Sequence, residues 1–315
     1  MTEADRTDGL GQEFGFADPV DAPIPYMQRT RDYYAALGYG APYEWAHYAE
    51  VPFTPLRKPL RECRIALITT AAPYQPGKGD QGPGAPYNGG AKFFSVYSGD
   101  TALDHDLRIS HIAIDRAHTT AEDQNTYFPL KAMRRAQEKG LFGALAPRFH
   151  GAPTNRSHRV TLDIDCPELV RRCIEDGIDA AFLVPNCPVC HQTVSLAARA
   201  LETEGIATVV MGSAKDIVDY VGVPRFLFSD FPLGNSAGRP FDQVSQDFTL
   251  RLALQLLEAA PAARTTVQSS LRWSSSAEWK LDYCNIALLS ADEIKRLRAA
   301  FDAQKANAKQ ARQSG

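Results

Sequence analysis

The sequence predicts an α/β fold: two Rossmann-like parallel-sheet halves facing a cleft, with an aromatic-rich N-terminal extension. Two observations carry this expectation. Strand-length apolar runs alternate with segments of helical period, the pattern of parallel strands joined by crossover helices. One stretch, Phe182 to Met211, holds the whole pattern in FLVPNCPVCHQTVSLAARALETEGIATVVM: strand, Cys-x-x-Cys turn, helix, Gly205, strand. The 315 residues suffice for two ordinary domains or one large one, and 44% apolar residues can fill a core without metal or disulfide staples.

Along the chain, residues 1–18 are polar and Gly-rich and read as disordered. Residues 19–60 carry Tyr26, Tyr33, Tyr34, Tyr43, Trp45, Tyr48 and Phe53, rings that argue for short helices packed on the main body. Arg64 to Thr70 is the first strand. Gly77 to Gly90 (GKGDQGPGAPYNGG) is too rich in Gly and Pro for a helix or central strand, and reads as a lid or subunit contact. Lys78 lies too early in it for a phosphate loop. Leu107 to Ile114 alternates like a strand. The TAED of Thr120 to Asp123 resembles a capping start, before a helix from Phe128 to Gly140.

The second half reads as a strand from His158 to Asp165, a helix from Pro167 to Gly177, and strands at Asp179 to Val184 and Ile206 to Met211. A short helix at Lys215 to Val221, a strand at Arg225 to Phe228 and an amphipathic helix at Gln243 to Ala259 follow. A last helix begins at Leu289 and reaches about Asn307; its basic end, AQKANAKQARQSG, lacks apolar anchors and should fray. The division is an extension (1–60), a first α/β domain (61–155), a second carrying the cysteine motif (156–290), and a C-terminal helix and tail (291–315).

A net charge of −3 gives no reason to expect nucleic acid. No run of about 18 apolar residues suggests a membrane span. The acidic N-terminus lacks the basic start and apolar run of a secretory signal. Six cysteines in a chain this long fit a reducing cytoplasm better than a disulfide framework.

The cysteine motif ends a strand and starts a helix, where unpaired N–H groups and the helix dipole favour a thiolate. One reading makes Cys187 the attacking thiol and Cys190 the resolving one, with a redox-active disulfide between them. A second gives zinc or iron to Cys187 and Cys190 with His111 and His118, although no second Cys-x-x-Cys completes a set. A third leaves two packed cysteines at a helix start. His191, His111, Asp115 and His118 are candidates for proton transfer. Arg148, His150, Asn155 and Arg156 could hold a carboxylate, which suits the fork of arginine. Asp230 and Asn235, in FSDFPLGN at a strand end, are further candidates for binding substrate.

Five co-linear segments, LITTAAPYQPGKGDQGPGAPYN, DLRISHIAIDRAHTTAEDQNTYFPL, LAPRFHG, the Cys187 stretch and FSDFPLGN, resemble the glycine/sarcosine/betaine/D-proline reductase family. The likeness is to the selenoprotein B type, nearest the thiol/selenol subunit of D-proline reductase, from about Cys63 to Trp279. It implies a nucleophile at Cys187, where that family often has selenocysteine. Attack at the α-carbon of a small nitrogen- or sulfur-containing metabolite, reductive C–N cleavage and resolution by Cys190 would follow. An external dithiol donor would reset the pair. The resemblance also implies a partner subunit whose pyruvoyl group activates the substrate amine, hence a homo- or hetero-oligomer. A non-catalytic place in a larger reductase complex is the alternative.

Overall fold

The computed structural model describes residues 21–314, so the expectation of disorder at 1–18 lies outside the described residues. The chain is built on one sheet. β1 (Arg64–Thr69), β3 (Tyr97–Asp100), β5 (Ala144–Leu145), β6 (Arg148–Gly151), β7 (Ala180–Val184), β8 (Ala207–Gly212), β9 (Arg225–Phe228) and β10 (Thr265–Gln268) lie in the order β10-β9-β8-β7-β1-β6-β3, with β5 also on β1. Every pairing is parallel except that of β3 with β6. β2 (Ala72–Pro73) and β4 (Leu107–Arg108) form a small antiparallel pair apart from it.

The mostly parallel α/β architecture agrees with the sequence. The two facing halves do not form: β1 of the first and β7 of the second pair directly, from Ile65↔Ala180 to Thr69↔Val184. The segment around His150, expected as a domain boundary, is an inner strand of the same sheet.

Both faces of the sheet are covered, so the inner strands read as continuous apolar runs rather than alternating ones. Ile65, Leu67, Phe182, Val209 and Leu227 pack on one face against α2 (Leu130–Glu138) and α7 (Gln243–Ala259). Ala66, Ile68, Leu183, Val210 and Phe226 pack on the other against α4 (Cys166–Glu175), α5 (Pro188–Thr203) and α6 (Lys215–Val221). The period-2 side-chain geometry of strands separates the two sets.

Two strand expectations fail. His158 to Asp165 is helical: α3 (His158–Val160) runs through a π segment (Thr161–Asp165) into α4. Its alternating Leu162 and Ile164 are exposed, so the alternation marks no buried face. The Ser157 hydroxyl instead caps the helix by accepting from the Val160 N–H. Of Leu107 to Ile114 only the first two residues are strand, and the rest is irregular chain and turn.

The extension does contain a helix, α1 (Tyr26–Ala36), followed by extended chain. Thr54 and Arg225 both bond to the buried Glu202 carboxylate, which ties that segment to the sheet. The C-terminal helix α8 (Ala291–Ser314) is longer than expected and does find anchors. Phe301 meets Tyr34 and Tyr39 edge-on, and the Gln304 amide oxygen accepts from the Gly89 N–H. A Cβ on Gly89 would sit 2.4 Å from the Gln304 carbonyl oxygen, so the glycine pair of the loop is what lets α8 approach. Among the described residues no helix is long and apolar enough to cross a membrane.

The Arg225–Glu202 pair is almost fully buried at 2.9 Å. Removing one partner leaves an uncompensated buried charge. Arg225→Met is therefore expected to lower unfolding free energy by roughly 3–5 kcal/mol in urea titration.

Candidate active site

The chain runs from β1 outward to β6 on one side and to β7 on the other, so the order reverses between β1 and β7. Open parallel sheets bind ligands beyond the carboxyl ends of strands at such a point. The residues that follow there are Pro185, Asn186 and Cys187, and the Asn186 N–H bonds to the Thr70 hydroxyl at the end of β1.

Cys187 is the N-cap of α5, its sulfur accepting from the Cys190 N–H at 3.3 Å. Pro188 takes the first helical turn, where a missing N–H costs nothing. The two sulfurs are 2.8 Å apart as free thiols, and Thr154 Oγ1 lies 3.1 Å from that of Cys190. Burial works against charge on both. For Cys190 it is outweighed by the hydrogen bond from Cys187, by neighbouring His111 and by Thr154, which hold this thiol well below its usual range. Burial, then the bond to and charge of Cys190, push Cys187 up.

His191 is held at both nitrogens. Nδ1 lies 2.8 Å from the Cys187 carbonyl oxygen, and Nε2 accepts from the Ser213 and Ala214 N–H groups at 2.9 and 3.1 Å. An Nε2 that accepts two amides carries no proton, so Nδ1 is the donor. Burial lowers its pKa to about 4. The imidazole is thus a neutral clamp between α5 and the turn after β8. Gly212 makes room for it, since a Cβ there would come 2.8 Å from the ring.

Cys187, but not Cys190, lines a cavity of about 430 Å³. Its walls come from distant parts of the chain: Tyr34 of α1, Tyr43 and Trp45 after it, Tyr87, Lys92 and Phe93 around the Gly/Pro loop, His111, Thr154 and Arg156, and Phe301 and Lys305 of α8. Arg31, Lys92, Arg156 and Lys305 are basic, and among the described residues none that lines it is acidic. Arg156 has a left-handed backbone (φ 54°), and its guanidinium stands 5.5 and 5.6 Å from the Tyr34 and Tyr43 ring centres.

Of the residues singled out by sequence, Cys187, Cys190, His111 and Arg156 converge here. His191 is adjacent but fully engaged. Asp115 and His118 pair with each other at 3.0 Å, and His118 Nε2 turns to Asp282 at 3.3 Å, away from the lining. The arrangement of metal ligands expected from Cys187, Cys190, His111 and His118 does not form: among the described residues no group of three or more His, Cys, Asp or Glu side chains is placed to hold a metal ion.

Of the four residues expected to hold a carboxylate, Arg156 lines the cavity and the other three are engaged elsewhere. Arg148 pairs with Asp176 and Glu175, and His150 is buried between Ser98 and Asp176. The Asn155 amide bonds to Asp165. Asp230 pairs with Lys280, and the Asn235 amide bonds to the Pro232 carbonyl. Sequence reasoning missed Lys92, Thr154, Phe301 and Lys305. The aromatic crowding of 19–60 and the Gly/Pro loop were the available signals for the wall.

No family model matches the chain, and no solved structure matches it. Over 213 residues it is 29% identical to the D-proline reductase subunit gamma of Acetoanaerobium sticklandii, covering 67% of this chain and 85% of that one. The chain is thus similar to subunits of the glycine and D-proline reductases. Over 228 residues it is 24% identical to the glycine reductase complex component B subunit gamma of Symbiobacterium thermophilum. That match covers 70% of this chain and 51% of the relative, about half its length. Both relatives are named as reductase subunits.

The lowered pKa of His191 sets a sign for stability against pH. The unfolded chain takes up this proton near 6.5 and the folded one only near 4. The contribution is whole above about 6.5 and is lost as pH falls toward 4, about 3 kcal/mol in all. His191→Gln should flatten that part of the stability–pH curve, read by urea unfolding at several pH values.

Proposed function

We propose that the chain is a thiol-dependent reductase component that cleaves a C–N or related bond in a small carboxylated metabolite. The observation that carries this is the thiol pair itself: two sulfurs in contact, one on the cavity wall and one behind it. The reductase-family relationship supports the reaction class.

Arg156 would hold the substrate carboxylate through its guanidinium fork. Its left-handed backbone supports a placed role, since such strain costs about 1–3 kcal/mol and persists where the surroundings enforce it. The Cys187 sulfur attacks the α-carbon while its proton passes to the Cys190 thiolate. The S–C bond forms, and the C–N bond breaks with its electron pair leaving on nitrogen. His111, beside Cys190, then takes the proton back. The Cys190 sulfur attacks that of Cys187, the disulfide forms, and the carbon leaves with the electron pair and a proton. Substrate gains two electrons, the thiols lose two, and an external dithiol returns them. We place the activation of the substrate amine on a partner subunit.

Cys187→Ser should abolish turnover. Cys190→Ser should halt after attack and leave substrate carbon on Cys187, visible as a mass adduct. Mild oxidation should remove two of the six titratable thiols, and neither single variant should lose a pair this way. Full turnover by Cys187→Ser would sink the reading. Arg156→Met should raise KM more than it lowers kcat, the sign of lost ground-state binding.

A further inference from the structure

The geometry points to a second covalent group in this cavity: we propose that Lys92 is an imine-forming lysine that captures the carbonyl carbon of an α-keto acid. The inference goes beyond the thiol chemistry and does not depend on it. Lys92 follows the turn on which α8 rests, and it lines the cavity together with Cys187 and Arg156. Its ammonium lies 5.4 Å from the Phe94 ring centre, and it makes no hydrogen bond or ion pair with any described residue. A lysine paired with a carboxylate is held protonated, but here no acidic residue lines the wall among the described residues.

Burial is the main influence on this amine and disfavours its charge. The Arg156 and Arg312 guanidiniums act the same way, while the thiol pair opposes them, and the result is a lowered pKa. A desolvated lysine beside another cation is a recognised setting for an amine nucleophile. Arginine could not do this, because its guanidinium does not lose its proton in proteins. The neighbouring arginine is also what an α-keto acid requires: a fork for the carboxylate, next to an amine for the carbonyl.

The step balances without an oxidant or reductant. The neutral amine adds to the carbonyl carbon. The C–O bond then breaks, the C=N bond forms, and oxygen leaves as water with the two protons that nitrogen gives up. The imine carbon is thereby held in the cavity that Cys187 lines.

The test is reductive trapping on the full chain with α-ketobutyrate and sodium cyanoborohydride near neutral pH, followed by peptide mapping. One reduced adduct is expected on Lys92, formed faster than on exposed Lys139 or Lys295. It should be lost in Lys92→Arg, which keeps the positive charge. Butanone, lacking the carboxylate, should label Lys92 more slowly. Labelling of Lys92 no faster than of the exposed lysines overturns the proposal, and equal labelling by butanone overturns its choice of an α-keto acid. Alkylation of Cys187, followed in the same samples, reports separately on the thiol reading.

Discussion

The buried N-terminus of α5 is the constraint on which the site depends. A helix that starts inside a protein leaves its first N–H groups without water, and each must find an acceptor. Cys187 supplies one with its sulfur. His191, one turn on, lies against the carbonyl of that same residue and clamps the turn after β8 with its other nitrogen. The motif is therefore as much a way to begin a buried helix as a pair of thiols. The dipole that makes the start costly to bury is the field that makes a thiolate affordable there.

The address of this helix comes from the β1–β7 ladder. Five residue pairs fix how far β7 runs before it ends, and Cys187 follows by three residues. Because β6 lies on the other side of β1, the loops diverge from this point and leave room between them. The room is closed by chain from both ends of the sequence. α1 and α8 meet through Tyr34, Tyr39 and Phe301, and α8 reaches the Gly/Pro loop through Gly89. In the proposed reaction such walls would keep a thiol adduct away from water.

How much of this could be read in the sequence follows from the range of each interaction. The strand–Cys–helix–strand unit was legible because local periodicity and a helix start sit within thirty residues of each other. The single sheet was not, because nothing local says that Arg64–Thr69 and Ala180–Val184 are neighbours. His158 to Asp165 misled because Leu162 and Ile164 alternate without being buried. Of the arginines near the apparent boundary, Arg148 and Arg156 looked equivalent. Only tertiary placement gives the first to Asp176 and the second to the cavity. Lys92 carried no motif at all, since what distinguishes it is the lack of a carboxylate partner among the described residues.

That lack also bears on how charge is arranged around the thiols. The thiol pair, with Cys190 held low and Cys187 pushed up, faces a wall that among the described residues carries several basic side chains and no carboxylate. In a partly desolvated cavity such an imbalance is costly unless an anion enters with the ligand. In the proposed reaction the Arg156 guanidinium, which keeps its charge, would draw in such an anion.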